Sequence, residues 1–241
     1  MKHVKVDATT STNETAKVFR KNGFTENFCI SAEFQSSGRG QHHKIWVSEK
    51  SKNLTFTVVL GNLNLMVDRR FYLNILVCNA LHEVLKTYQL PNLLIKWPND
   101  ILSDQKKIGG ILIENTLNKN FISTTYIGIG LNINQDVFND LPQASSMKLL
   151  LNKEFDRDKI LSRLLKTLEA LPDRLEGSSV DATVANYKKN LYGYKSQTPF
   201  KLHQEKVTGT LQDVEVSGEI KVEFENGVVK CFDHSEIQQL Y

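Results

Sequence analysis

The stretch SSGRGQHHKIW, residues 36–46, packs two glycines, an arginine, a lysine, two histidines and a tryptophan into one short segment. No apolar periodicity runs through it before Ile45, so it reads as an irregular cationic loop. Three chemistries suit such residues. Gly38 and Gly40 let backbone N–H groups approach a phosphate, and Arg39 supplies a planar, permanently charged fork for two oxygens. His42 and His43 suggest a metal, but adjacent side chains in an extended segment diverge, and no Cys or carboxylate stands at ligand spacing beside them. Trp46 is suited either to covering an adenine or to packing the base of the loop. Taken alone, GRG is more often a bland surface loop than an anion site, because short motifs match by chance.

The usual nucleotide motifs fail. GIG at 128–130 invites a dinucleotide reading, but the position that needs the third glycine is Ile133, and a strand-to-helix context is missing. No GxxxxGK[ST] occurs, which excludes a Walker-type phosphate loop.

The elements that must position these residues follow from periodicity. Residues 13–22 are predicted helical, with Ser11 and Glu14 at capping-box spacing. FCISAEF (28–34) reads as a strand feeding the loop. NLTFTVVLG (53–61) sets Leu54, Phe56, Val58 and Leu60 on one face of a half-buried strand. Asp68 is placed to cap a long helix, whose Leu73, Leu76, Val77, Ala80, Leu81, Val84 and Leu85 keep helical spacing until Pro91. LLIKW (93–97), KIGGILIEN (107–115) and STTYIGIGLNIN (123–134) have the length and β-branched content of strands. Amphipathic helices follow near 156–171 and 181–190. Strands in blocks followed by helices predict an α+β fold. From about Leu191 the texture changes: Ile220, Val222 and Phe224 alternate with charges, and Asn226-Gly227 marks a hairpin into VVKCF. Several short strands there predict a small C-terminal β-barrel, dividing the chain into 1–190 and 191–241.

Composition sets outer bounds. The chain has 241 residues, 40% of them hydrophobic, and a net charge of +3. That is enough chain for a sizeable core, and a balance too even to make nucleic acid the main partner. Cys29, Cys78 and Cys231 are odd in number and sit in apolar or strand-like contexts, which predicts buried free thiols in a reducing compartment. The N-terminus has no apolar leader and no run approaches membrane-spanning length, so a cytoplasmic protein without a membrane partner is expected.

Beside SGRGQHHKIW stand TSTNETA (10–16), IKWPNDIL (95–102), KKIGGILIEN (106–115) and GIGLNIN (128–134). In this order and spacing they resemble the catalytic domain of biotin protein ligases, over essentially the whole chain. The resemblance implies a central mixed, largely antiparallel sheet flanked by helices, of the class II aminoacyl-tRNA synthetase and biotin synthetase kind, with a C-terminal SH3-like β-barrel. It implies an enzyme that joins biotin to ATP as biotinyl-5′-AMP, then passes biotin to a lysine of a carrier domain, a biotin carboxyl carrier protein. A lipoate or octanoate ligase of the same fold and a non-catalytic biotin-binding regulator are the rivals. The chain begins ten residues before the STN motif, which predicts the monofunctional form without a DNA-binding domain and no DNA partner. The fold also allows a homodimer through a sheet edge.

Residue by residue, the resemblance implies that Ser11, Thr12 and Asn13 meet the ureido ring of biotin, although Ser11 could also serve only as a helix cap. Gln35, Gly38 and Gly40 line the biotin pocket, and Arg39 contacts carboxylate and phosphate at the reacting centre. Lys107 stands between biotin's carboxylate and the α-phosphate. Two anions brought to ~4 Å repel by several kcal/mol in a partly dry site, so cations there are physically apt. Gly109 and Gly110 let backbone pass against the ligand, with a β-bulge as the structural alternative. Gln41, Trp46, Asn99, Gly128, Gly130 and Asn132 are expected on the nucleotide. Trp97 is expected to pack the sheet at a turn after a central strand, and Asp100 is the candidate Mg²⁺ ligand. Segment 135–147 is a candidate second ligand-ordered loop. The family commonly carries a second arginine where Gln41 stands and a glycine where His43 stands; these departures bear on retention of the intermediate.

Overall fold

A computed structural model of the chain describes residues 1–41 and 44–241. Seven strands build the principal sheet: β1 (Lys2–Thr9), β2 (Phe28–Gln35), β3 (Leu54–Met66), β4 (Leu94–Lys96), β5 (Asp100–Ser103), β6 (Lys106–Asn118) and β7 (Phe121–Leu131). Their order is β1-β2-β3-β7-β6-β5-β4. Only β1 and β2 run parallel, so the sheet is mixed and largely antiparallel, as expected. Two strands escape the periodicity argument. β1 (KHVKVDAT) is a charged edge strand with no fully buried position, and β5 has four residues folded out of the KWPND turn. β4 is therefore the outer edge of the sheet and not a central strand.

β3 is buried on both faces from Leu54 to Leu60, not half-buried, because helices cover both sides. On one side lies α1 (Thr12–Lys21), over a small cluster of Ala16, Phe28, Ile30, Val59 and Tyr126. On the other lies α2 (Arg70–Lys86), inside the main core with α4 (Arg157–Glu169) and α6 (Val180–Lys189). α2 buries nearly its whole circumference, so it is an interior helix and not an amphipathic one. Asp68 does not cap it: a 3₁₀ turn, Val67–Arg69, intervenes, and Arg69 holds the cap position. Two short helices, α3 (Met147–Leu151) and α5 (Leu171–Gly177), complete the helical set. No helix of the described residues is long and apolar enough to cross a membrane.

Five strands form the C-terminal sheet: β8 (Gln197–Leu202), β9 (Glu205–Val214), β10 (Ile220–Phe224), β11 (Val229–Phe232) and β12 (Ile237–Gln239), ordered β11-β10-β9-β8-β12. β11 and β12 are its two edges, so the expected barrel is not closed by strand pairing. The apolar face has another cover: Val214, Ile220, Val222 and Phe232 belong to the same core as α2 and the principal sheet. Trp97 seals the junction, 1% exposed, its Nε1 donating to the Gly218 carbonyl at 3.0 Å. Cys29 and Cys78 are buried and free, but Cys231 is exposed. On an edge strand of period two, Phe232 faces in and its neighbour must face out.

Glu33 on β2 ties two layers together, holding Lys5 at 2.7 Å and Arg157 at 2.9 Å. Burial pushes its carboxyl up, but the bonds from Lys5, Ser51 and Arg157 outweigh burial and hold it at about 2. A depressed folded value stabilises fully above the ordinary 4.5 and is lost as pH falls from there to about 2. Glu33→Gln is expected to cost about 1–3 kcal/mol near neutrality. In denaturant unfolding across pH, the gap from wild type should shrink steadily below the ordinary carboxyl value.

Candidate active site

A cavity of about 1050 Å³ opens between the α1 face of the principal sheet, the 36–47 loop, segment 138–144 and the C-terminal sheet. Its floor is β6 and β7, where Gly110, Gly128 and Gly130 leave space for side chains from elsewhere.

At one end is a buried polar cradle. Ser11 is the N-cap residue of α1 but makes no side-chain cap bond, so its hydroxyl is not spent on the helix. The Asn13 amide is fixed at both ends: Oδ1 accepts from the Thr57 hydroxyl at 2.6 Å, and Nδ2 donates to Glu114 at 2.7 Å. Thr57 Oγ1 also lies 2.8 Å from Thr12 Oγ1, and the Thr12 N–H donates to Gln35 Oε1 at 2.8 Å. Burial alone would raise the Glu114 carboxyl, but the bonds from Asn13 and Lys17 outweigh it and hold it below the usual range. Sequence reasoning missed Thr57 and Glu114. The signal for Thr57 was present: the face of β3 opposite Phe56 and Val58 carries threonines in an otherwise apolar run.

Next to the cradle are the cations. The Arg39 guanidinium is held by Glu14 and, at 3.3 Å, by Glu114, and Lys17 pairs with both acids at 2.9 Å. Glu14 therefore acts as an ion-pair partner and not as half of a capping box. Lys107 Nζ lies 2.6 Å from Asp100 Oδ1 and 5.7 Å from the centre of the Trp46 ring. Segment 135–147 clamps the Lys107 backbone, whose N–H donates to the Gln143 carbonyl at 2.7 Å and whose carbonyl accepts from Ser145 at 3.0 Å. Asp100 also faces Lys96, at 3.5 Å. Its carboxylate is thus spent on two lysines, and no group of three His, Cys, Asp or Glu among the described residues could hold a metal. These residues do not fit a resident Mg²⁺. The ion is better treated as part of the nucleotide substrate.

The described flanks of the 36–46 loop pair antiparallel, with Gly40 N–H bonded to the Lys44 carbonyl at 2.7 Å and Trp46 N–H to the Gly38 carbonyl at 2.8 Å. His42 and His43 lie outside the described residues. The Trp46 ring lies against Gly130 and Gly110, and its buried Nε1 has no partner among the described residues. Asn132 gives Nδ2 to the Ser145 carbonyl at 3.0 Å and leaves Oδ1 buried without a described partner. This leaves one donor and one acceptor in the same cavity available to a bound molecule. Gln41 lines the same cavity. Asn99 does too, but its amide is spent on the Ile111 carbonyl, locking the turn to β6. Of the predicted residues, Gly38 and Gly109 do not line the cavity. A Cβ at Gly38 would strike the Trp46 carbonyl, and one at Gly109 would press on Leu131 at 3.1 Å, so both serve packing.

Residues 5–132 match the model of the biotin/lipoate A/B protein ligase family, a span that contains every predicted site residue. The chain belongs to that family. Among relatives, it is 29% identical over 168 residues to the bifunctional ligase/repressor BirA of Bacillus subtilis, covering 68% of this chain and 51% of that protein. It is 32% identical over 142 residues to the biotin–[acetyl-CoA-carboxylase] ligase of Mycobacterium tuberculosis, covering 58% and 52%. The matched parts thus span about half the length of these relatives. The biotin protein ligase of Aquifex aeolicus, solved in complex with biotin and ATP, superposes with a TM-score of 0.82 at 22% identity, over 99% of this chain and 98% of that one. At that identity the likeness establishes the fold. The family's sheet and helix layers are the ones described above.

Proposed function

We propose that this family member is an ATP-dependent biotin protein ligase, with biotin and Mg·ATP as substrates and a biotin carboxyl carrier domain as acceptor. The observation that carries the reading is the succession within one cavity: a rigid amide–hydroxyl cradle at Thr12, Asn13 and Thr57, then Arg39 and Lys107, then the unspent polar atoms of Trp46 and Asn132. A cyclic urea presents donors and an acceptor on a small rigid ring, and a cradle whose amide cannot flip is matched to it. Family membership and the names of the relatives support the same reading.

In the first step a biotin carboxylate oxygen bonds to the α-phosphorus of ATP, and the bond to pyrophosphate breaks. Lys107, oriented by Asp100 and by its clamped backbone, offsets the repulsion between carboxylate and phosphate and the charge that grows in the transition state. Arg39 leaves its acidic partners to join it. In the second step a neutral carrier-lysine amine attacks the carbonyl carbon of the mixed anhydride, the C–O bond breaks with its electron pair passing to AMP, and the nitrogen loses one proton to solvent. The 36–46 loop and segment 135–147 exclude water, since hydrolysis is the competing loss. Residues 1–190 carry this chemistry and 191–241 form the second unit, in a cytoplasmic enzyme.

The deciding assay supplies ATP, Mg²⁺ and either biotin or lipoate, together with biotin- and lipoate-accepting carrier domains. Biotin is expected on the biotin carrier lysine. Transfer of lipoate alone would replace this reading with the lipoate ligase, and binding of biotin without any adenylate would replace it with a non-catalytic regulator.

A further inference from the structure

The edge strand β4 carries a lysine that its position does not explain. Lys96 is only 5% exposed, yet it lines the cavity. Its one described anionic neighbour, Asp100, stands 3.5 Å away and gives its closer contact, 2.6 Å, to Lys107. One carboxylate against two ammonium groups leaves a net positive charge in a largely closed place. Burial pushes the Lys96 ammonium toward deprotonation, Asp100 opposes this, and Lys107 adds to it. The Tyr241 ring, 5.1 Å from Nζ, holds the head group without neutralising it. A buried ammonium whose donors are so poorly used is suited to an anion that comes and goes.

The sheet order says which anion. The cradle rests on β3 and β7, through Thr57 and the Asn13 side chain over Gly128. Lys107 is on β6, Asp100 on β5 and Lys96 on β4, each a further strand away, at ~4.8 Å per strand. In phosphoryl displacement the attacking and leaving oxygens lie in line on opposite sides of phosphorus. With biotin's carboxylate arriving from the β7 side and the α-phosphorus at Lys107, the leaving group lies toward β4. We propose that Lys96 binds the β- and γ-phosphates of ATP and the pyrophosphate released from them. This rests on the ligase reading. In that step one P–O bond forms to biotin, one breaks with its electron pair passing to pyrophosphate, and no proton moves. Lys96 offsets the charge appearing on the leaving oxygen.

The test uses the full chain with Lys96→Met, which keeps bulk without charge, and Lys96→Arg, which keeps charge. Lys96→Met is expected to raise both the KM for ATP and the pyrophosphate inhibition constant by at least about tenfold, with Lys96→Arg recovering part of each. Transfer from synthetic biotinyl-5′-AMP to a carrier domain, which involves no pyrophosphate, should persist in both variants. Unchanged pyrophosphate inhibition in Lys96→Met would overturn the assignment. So would an equal loss of transfer, which would mark Lys96 as a support for Asp100 and Lys107. Should wild type form no adenylate, the ligase reading fails separately, and calorimetric titration of wild type and Lys96→Met with pyrophosphate alone still decides Lys96.

Discussion

Lys107→Ala and Arg39→Ala should each lose biotin-dependent ATP–pyrophosphate exchange by about two to three orders of magnitude. On the proposed reading both remove a cation from the point where a carboxylate meets a phosphate, and water is a poor substitute for a charge in a partly dry site. The fold should survive. Lys107 and Arg39 are partly exposed, and each leaves its acid with another cation: Asp100 keeps Lys96, while Glu14 and Glu114 keep Lys17. A thermal unfolding curve near that of wild type, measured beside the exchange assay, separates loss of chemistry from loss of structure. Full exchange in both variants would remove these residues from the site.

The second large effect comes from two glycines on one face of β7. A methyl group at Gly128 would collide with Asn13 Oδ1, and one at Gly130 would collide with the Trp46 ring. Asn13 belongs to the cradle and Trp46 to the nucleotide end, so the two substitutions should separate the substrates. Gly128→Ala is expected to raise the KM for biotin by about ten- to a hundredfold, through displacement of an amide that makes three hydrogen bonds, with the KM for ATP little changed. Gly130→Ala should do the reverse. Steady-state kinetics with each substrate varied in turn provides the check. If both variants weakened both substrates equally, the cavity would not be divided along β7 in this way.

Much of the fold was legible because it rests on local periodicity. The α+β class, the helices near 13–22, 156–171 and 181–190, and the strands containing FCISAEF, KIGGILIEN and STTYIGIGLNIN all follow from patterns a few residues long. The failures share a cause: they concern neighbours distant in sequence. β1 has almost no apolar signal because it is an edge. β3 looks half-buried until α1 and α2 cover both its faces. The barrel predicted from strand count stays open because the core around Trp97 covers the face that closure would have buried.

The site divides the same way. In the sequence, it is the resemblance carried by the cationic loop, the STN segment and KWPND with KKIGG that implies one chemistry for Arg39, Lys107, Asn13, Trp46 and Asn132. The tertiary structure decided which partners each side chain holds. It released Ser11 from capping, gave Asp100 to two lysines instead of a metal, spent Asn99 on the backbone of β6, and assigned Gly38 and Gly109 to packing. It also brought in Thr57, which lies outside every motif, and Glu114 and Lys96, motif residues with no role assigned from the sequence. A side chain's remaining hydrogen bonds and charge depend on what lies across the sheet from it, and that is set only when the strands take their order.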